Sequence, residues 1–325
     1  KVDPTSATIT IAVKDNVINF YYEKRTDLSY TVNYLEKDSN KVLSTPKTVK
    51  NQTFGSEAAE DAIDITGYDK VAPTSQKLTI SADETKNIIN FYYTKRTNIS
   101  YTVNYLEQGT NAVLAGAKTV DGKTFEESVS ESAIDINGYV AQQPTSQTLK
   151  LAAEGNVINF YYAKRTDLSY KVNYLEQGTN KVLADAKTAD KQTFGASITE
   201  KAIDIDGYNK VAPSEQTFVI TTGKNEITFY YTTRADLSYT VNYLEDGTDK
   251  VLATAKTVDK QTFGASASET AIAIDGYTAK APTSATITIG TGENVINFYY
   301  NKRADLSYTV NYLEDGTDKV LATAK

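Results

Sequence analysis

The sequence predicts a mostly β protein built as a tandem array of small domains of 69–71 residues. Three observations carry that prediction. The segment Asp236-Leu-Ser-Tyr-Thr-Val-Asn-Tyr-Leu-Glu245, or a close variant, occurs five times, with its first tyrosine at Tyr30, Tyr101, Tyr170, Tyr239 and Tyr308. The spacings are 71, 69, 69 and 69 residues, a fixed period that marks an array of repeats. Within the segment, Leu237, Tyr239, Val241 and Tyr243 share one parity and Ser238, Thr240, Asn242 and Leu244 the other, the period of a half-buried strand. Composition agrees, since 40% apolar and 23% charged residues suit folded domains.

The period divides the 325 residues into the C-terminal part of a repeat (1–25), four complete repeats (26–96, 97–165, 166–234 and 235–303) and the N-terminal part of another (304–325). Asp305–Lys325 repeats Asp236–Lys256 without a change, so the chain reads as a window cut from a longer array whose unit number matters more than the individuality of any unit. A domain this small buries only ~60% of the surface its unfolded chain exposes, and is expected to be modestly stable alone.

One repeat, taken in order, starts with the alternating strand at Leu237. Asp246-Gly-Thr-Asp249 then supplies hairpin turn chemistry, with Lys250–Val258 as the return strand. In the first copy that turn is Lys37-Asp-Ser-Asn40, without glycine, which suggests that a left-handed residue is tolerated there but not required. From Phe263-Gly264 to Ala271 the residues are Ala, Ser, Glu and Thr, predicting one or two turns of helix or a polar loop. A short strand follows at Ala271–Tyr277, ending on a turn glycine. Pro282 marks a connection or an edge. Ala285–Ile289 and Val295–Tyr300 are expected to pair around Gly290–Asn294. The expected core is Tyr239, Val241, Ile272, Ile274, Ile287, Ile289, Ile296 and Phe298, with counterparts in each repeat. Only Asn301–Asp305 separates Tyr300 from the next opening leucine, with no Gly/Ser or Pro-rich linker, so the repeats are expected to follow one another as an elongated, semi-rigid rod.

Composition excludes several function classes. The chain has no His, Cys, Met or Trp, hence no Ser–His or Cys–His nucleophile system and no soft zinc ligands. No Gly-rich phosphate cradle is present. With 34 basic and 41 acidic residues, the net charge of −7 argues against nucleic acid and anionic membranes, and no apolar run is long enough to insert in a bilayer. No enzyme and no cofactor is expected. The turn Glu245–Asp249 has oxygen ligands at alternate positions, as a calcium loop would, but its second copy, Glu107-Gln-Gly-Thr-Asn111, lacks two of the carboxylates, and hairpin chemistry explains both.

The elements Tyr239-Thr-Val-Asn-Tyr243, Asp246-Gly247, Ile274-Asp-Gly-Tyr277 and Phe298-Tyr-Tyr-Asn-Lys-Arg303, present throughout the chain, resemble the MucBP (mucin-binding protein) repeats of Gram-positive surface adhesins. The resemblance implies a small β-grasp (ubiquitin-like, α+β) domain, arrayed on a secreted, cell-wall-anchored protein. It implies mucin or another host glycoprotein as a partner beside the neighbouring repeats, and it carries no catalytic motif.

Two sets of residues stand out as candidate sites. In the closing Phe-Tyr-Tyr, one tyrosine must face outward. Tyr21, Tyr92, Tyr161, Tyr230 and Tyr299 read either as a platform on which sugar rings stack or as packing in the sheet or at the joints between repeats. Asn33, Asn104, Asn173 and Asn242 recur in the opening strand, and Lys47, Lys118, Lys187 and Lys256 in the return strand. They read either as Lys–Asn isopeptide cross-links or as side chains bonded to nearby backbone. Two functions fit the array: a stalk that projects a binding region from the cell wall, or an adhesive module that multiplies weak glycan binding by copy number.

Overall fold

The computed structural model describes residues 1–323. The chain divides into two compact units, Lys1–Lys164 and Arg165–Lys325, each containing two complete repeats. The first complete repeat has six strands: β1 (Leu28–Glu36), β2 (Val42–Gln52), β3 (Glu57–Asp61), β4 (Tyr68–Lys70), β5 (Ser75–Thr79) and β6 (Ile88–Lys95). The other three complete repeats have the same six in the same order, opening at Ile99, Leu168 and Leu237.

Four strands form one sheet in the order β2-β1-β6-β4, and β3 with β5 forms a separate two-stranded sheet. β1 pairs antiparallel with β2 and parallel with β6. A parallel pair needs a long crossover, which is why the whole of β2 to β5 lies between its two members in sequence. On the inner face the alternation of β1 buries Leu28, Tyr30, Val32 and Tyr34, and that of β6 buries Ile89, Phe91 and Tyr93. The Tyr34 and Phe91 rings stack at 6.4 Å and 15°. The β3–β5 sheet closes this face with Ala58 and Leu78. Full burial of a residue such as Phe91 contributes about 1.5–3 kcal/mol relative to exposure, so the aromatic inner face accounts for much of the hold on so small a domain.

Several expectations are corrected. Where one or two turns of helix or a polar loop are expected after Phe263, the chain forms the strand Ser266–Thr270, paired antiparallel with Ser284–Thr288. Its inward residues are Ala267, which is buried, and Glu269, which is bonded inside the repeat, so the period of two carries no large apolar residue to reveal it. Ala271–Ile274 is not a strand, and Ile272 is 43% exposed, using its carbonyl to accept the Tyr300 hydroxyl at 3.0 Å. The remaining expected core residues are buried (Tyr239, Val241, Ile289, Ile296, Phe298) or packed half-buried against that core (Ile274, Ile287). The last two strands do not pair with each other, because Val295–Lys302 lies parallel to Leu237–Glu245. At the first hairpin the left-handed conformation is kept without glycine, by Asp38 (φ 71°) and Asn40 (φ 54°), short polar residues that tolerate it best.

Candidate functional site

The outer face of the four-stranded sheet is set by the same alternation. In β1 it carries Thr31, Asn33 and Leu35, and in β6 Ile88, Asn90 and Tyr92; the parallel register places Asn33 opposite Asn90 and Leu35 opposite Tyr92. Asn33 Nδ2 donates to Asn90 Oδ1 at 2.8 Å, and the pairs Asn104–Asn159 and Asn242–Asn297 repeat this at 2.9 Å. In the third repeat Thr228 replaces the second asparagine, and Asn173 turns to Glu226 at 3.2 Å. Tyr92, Tyr161 and Tyr230 are 36%, 39% and 40% exposed, and Tyr299 is half-buried at the same place. Tyr21 is exposed in the N-terminal segment, which forms no strand. Tyr92, Tyr161, Tyr230 and Tyr299 lie on the sheet face and not at the joints within the units.

The recurrent lysines occupy the opposite face. Lys47 stands across from Val32, a core residue, and its Nζ donates to both oxygens of Glu60 at 2.7 and 2.8 Å. Successive residues of a strand point to opposite faces, so the structure does not bring Lys47 and Asn33 together. The same holds for Lys118 with Glu131, Lys187 with Glu200 and Lys256 with Glu269. Each glutamate also accepts from the first tyrosine of its repeat, Tyr30 to Glu60 at 2.6 Å, Tyr101 to Glu131 at 2.7 Å and Tyr239 to Glu269 at 2.6 Å, with Tyr170 on Glu200 likewise. Burial and the Glu60 carboxylate push the Tyr30 phenol up to about 12. The Lys118 ammonium and the Tyr101 hydroxyl hold Glu131 below the usual carboxylate range. At Glu60 burial works upward, but the bonds from Lys47 and Tyr30 outweigh it and the net shift is down. This cluster ties β1, β2 and β3 together on the core side of the repeat.

The joints are built from residues that strand alternation does not point to. In the first unit, Arg96 follows the closing strand. Its N–H donates to Gly67 O at 3.0 Å in its own repeat, and its carbonyl accepts from Phe125 N of the next at 2.8 Å. The Phe125 ring sits over Gly67 so closely that a Cβ there would lie 2.5 Å from it, and Gly67 has φ +82°, which disfavours a side chain on conformational grounds as well. Tyr68 meets the same ring edge-on at 5.5 Å. The second unit repeats the arrangement with Arg234, Gly207, Tyr208 and Phe263, the rings 5.9 Å apart. The sequence signal for these joints is the recurrence of Phe and of Gly-Tyr outside the strand pattern. Among the described residues, no group of three or more His, Cys, Asp or Glu is placed to hold a metal ion, and no helix is long and apolar enough to cross a membrane.

Repeated β units, each aromatic-cored and joined in pairs through a ring seated on a glycine, define a tandem-repeat β protein. The chain belongs to the MucBP domain family, which matches residues 30–94, 101–163, 171–232 and 239–301. No curated protein matches the sequence. Among solved structures, the Bacillus anthracis TIE protein is similar at 11% identity and a TM-score of 0.34, over 85% of this chain and 66%, just under two thirds, of that one. The type 2 repeat of the mucus binding protein MUB from Lactobacillus reuteri is similar at 15% identity and a TM-score of 0.16, over 42% of this chain and 99% of that one. A streptococcal ancillary pilin is similar at 12% identity and a TM-score of 0.17, over 85% of this chain and 99% of that one.

Proposed function

We propose that the chain is the tandem-repeat stalk of a bacterial cell-surface adhesin, an extracellular segment that holds a binding region away from the cell wall. The joint carries this reading. A connection meant to swivel would leave its backbone solvated, whereas Arg96 and Arg234 are each hydrogen-bonded to both of their neighbours, and each joint seats an aromatic ring against a glycine. Membership of the MucBP family supports a surface role without catalysis. The sheet order β2-β1-β6-β4, with its central parallel pair, supports a β-grasp repeat in which the β3–β5 sheet takes the place of the covering helix. The test is binding of soluble mucin to the immobilised chain. A stalk binds no more mucin than an unrelated protein of equal negative charge, and specific, saturable binding sinks the reading.

One observation favours a second reading, a multivalent module that grips mucin or another host glycoprotein itself. Tyr92 and Tyr161 present partly exposed rings on the face that carries an asparagine pair, and Tyr230 on one that carries Asn173 and Thr228, a flat apolar surface next to hydrogen-bonding groups, which is what a sugar ring requires. If mucin binding is found, replacement of Tyr92, Tyr161, Tyr230 and Tyr299 by serine abolishes it on this reading.

A further inference from the structure

Of the five arginines, each after a Tyr-Tyr and two further residues, Arg25, Arg165, Arg234 and Arg303 pair with an aspartate two residues on, through Nε and Nη2. Arg96 has Asn98 there instead, which accepts only from Nε, at 3.2 Å. Among the described residues no carboxylate forms an ion pair with Arg96, although its side chain is half-buried. Arg96 lines a cleft of 540 Å³ at the joint of the first unit, with Asp64, Thr66, Tyr68, Ala153 and Glu154. The volume lies within the roughly 300–1,000 Å³ typical of small-molecule sites. In the second unit the corresponding place is bridged, because Asp206, where the first unit has Thr66, accepts from Thr291, where it has Ala153, at 2.9 Å. The first unit has neither partner of that bridge.

We propose that this cleft binds a carboxylated sugar, a single ring bearing one carboxylate, with Arg96 as the receptor for that group. A planar guanidinium with its terminal nitrogens free of any carboxylate offers the bidentate geometry that a carboxylate takes. Around it the hydrogen-bonding groups are mainly acceptors. Glu154 is exposed, and so is Asp64, which pairs with Lys70 at 2.9 Å. Those two carboxylates repel an acidic peptide or a polyanion but accept hydrogen bonds from sugar hydroxyls. Thr66 adds a hydroxyl, and the half-buried Tyr68 adds an apolar ring. The proposal concerns one joint and not the outer faces of the repeats, so the mucin test of the stalk reading is also run on Arg96→Leu: binding lost with Arg96 belongs to this cleft, and binding that persists counts against the stalk.

The test titrates the full chain with glucuronate and with N-acetylneuraminate as probes, read by amide and Arg Nε chemical shifts, with glucose and acetate as controls. Saturable shifts confined to Thr66, Arg96 and Ala153, given by one or both sugar acids and by neither control, support the site, and the stronger probe identifies the sugar type. Arg96→Leu abolishes them. Asn98→Asp, which restores the pairing the other four arginines have and so leaves the fold intact, weakens binding about tenfold or more by occupying the guanidinium. Absence of saturable binding by both sugar acids overturns the proposal. So does acetate or glucose binding as well as they do, or an Asn98→Asp chain that binds like the unaltered one.

Discussion

The joint of the first unit and the joint of the second share their apolar and backbone parts and differ in their charges. Both seat a phenylalanine on a left-handed glycine, press a tyrosine edge against it, and bond an arginine backbone to both sides. Among the described residues, the first adds a carboxylate that bridges the two repeats: Lys95 of one repeat and Lys150 of the next both pair with Glu126, at 3.0 and 2.9 Å. In the second, Thr233, Gly264 and Thr288 stand at those three places. The difference teaches that ring, glycine and arginine backbone make a joint, and that charge tunes one joint against another.

The largest effect expected is loss of the seated ring. Phe125→Ala and Phe263→Ala each cost roughly 2 kcal/mol, about half the penalty of a fully buried phenylalanine, because both rings are half-buried. Phe54 supplies an internal contrast: its backbone is bonded to Arg25, but residues 1–27 form no strand to seat its ring, which is 45% exposed. Phe54→Ala is expected to cost well under ~1 kcal/mol. Native-state hydrogen exchange at the amides of Arg96, Phe125, Arg234 and Phe263 measures this locally. Equal effects at Phe54 and Phe125 break the comparison.

Next comes pH. Hydrogen bonds from Lys150 and Lys95 hold Glu126 down at about 2, against its ordinary 4.5. A carboxylate whose value falls on folding contributes stability that is present above its unfolded value and is lost as pH drops through its folded one. The first joint therefore loses protection between about pH 4.5 and pH 2, through a carboxylate the second joint lacks. The glutamates bonded to Lys47, Lys118, Lys187 and Lys256 are lowered too and weaken all four repeats together, so the observable is the difference between the Phe125 and Phe263 amides. Parallel loss at both amides contradicts the assignment.

A smaller effect attends Glu126 itself, which adopts φ 64° where the other complete repeats have Gly55, Gly195 and Gly264. Glu126→Gly relieves about 1 kcal/mol of backbone strain while removing two partly exposed ion pairs that offset part of it. Net stability is expected to change by less than ~0.5 kcal/mol, with the salt dependence of the first joint lost. Gly264→Glu introduces the strain without lysines to offset it, and costs about 1 kcal/mol. Denaturant midpoints measured at low and high salt distinguish the two.

The period, the hairpin and both long strands of the central sheet are legible in the sequence, because Tyr239, Val241, Ile296 and Phe298 alternate with polar residues and nothing competes with that pattern. The β3 strand is hidden because one of its inward residues is a glutamate whose partners, a tyrosine and a lysine, lie 30 and 13 residues earlier. The parallel pairing is hidden for a related reason: Asn33 and Asn90 meet across 57 residues, and alternation says which face a residue takes but not which strand lies beside it. Of the candidate residues, the outward tyrosines follow from alternation alone. The joint required knowing that Gly67 and Phe125, in different repeats, touch.

The smallest stability effect expected carries the sharpest test of how the joints differ. Asp236→Asn gives Arg234 the partner that Arg96 has, and removes one exposed, solvent-screened ion pair, so the unfolding midpoint should barely move. If an unpaired guanidinium were enough to make a site, the second joint would now take up sugar acids as proposed for the first. The Asp206–Thr291 bond spans the place where the first joint opens, so Asp236→Asn alone is expected to add no binding. Adding Asp206→Thr and Thr291→Ala removes that bridge by installing the residues of the first joint, and the triple variant is expected to bind with the affinity of the unaltered first joint. Binding by the single variant would show that the bridge does not close the cleft. A triple variant that stays silent while the first joint binds would assign the difference to Glu154, whose counterpart in the second joint is Gly292.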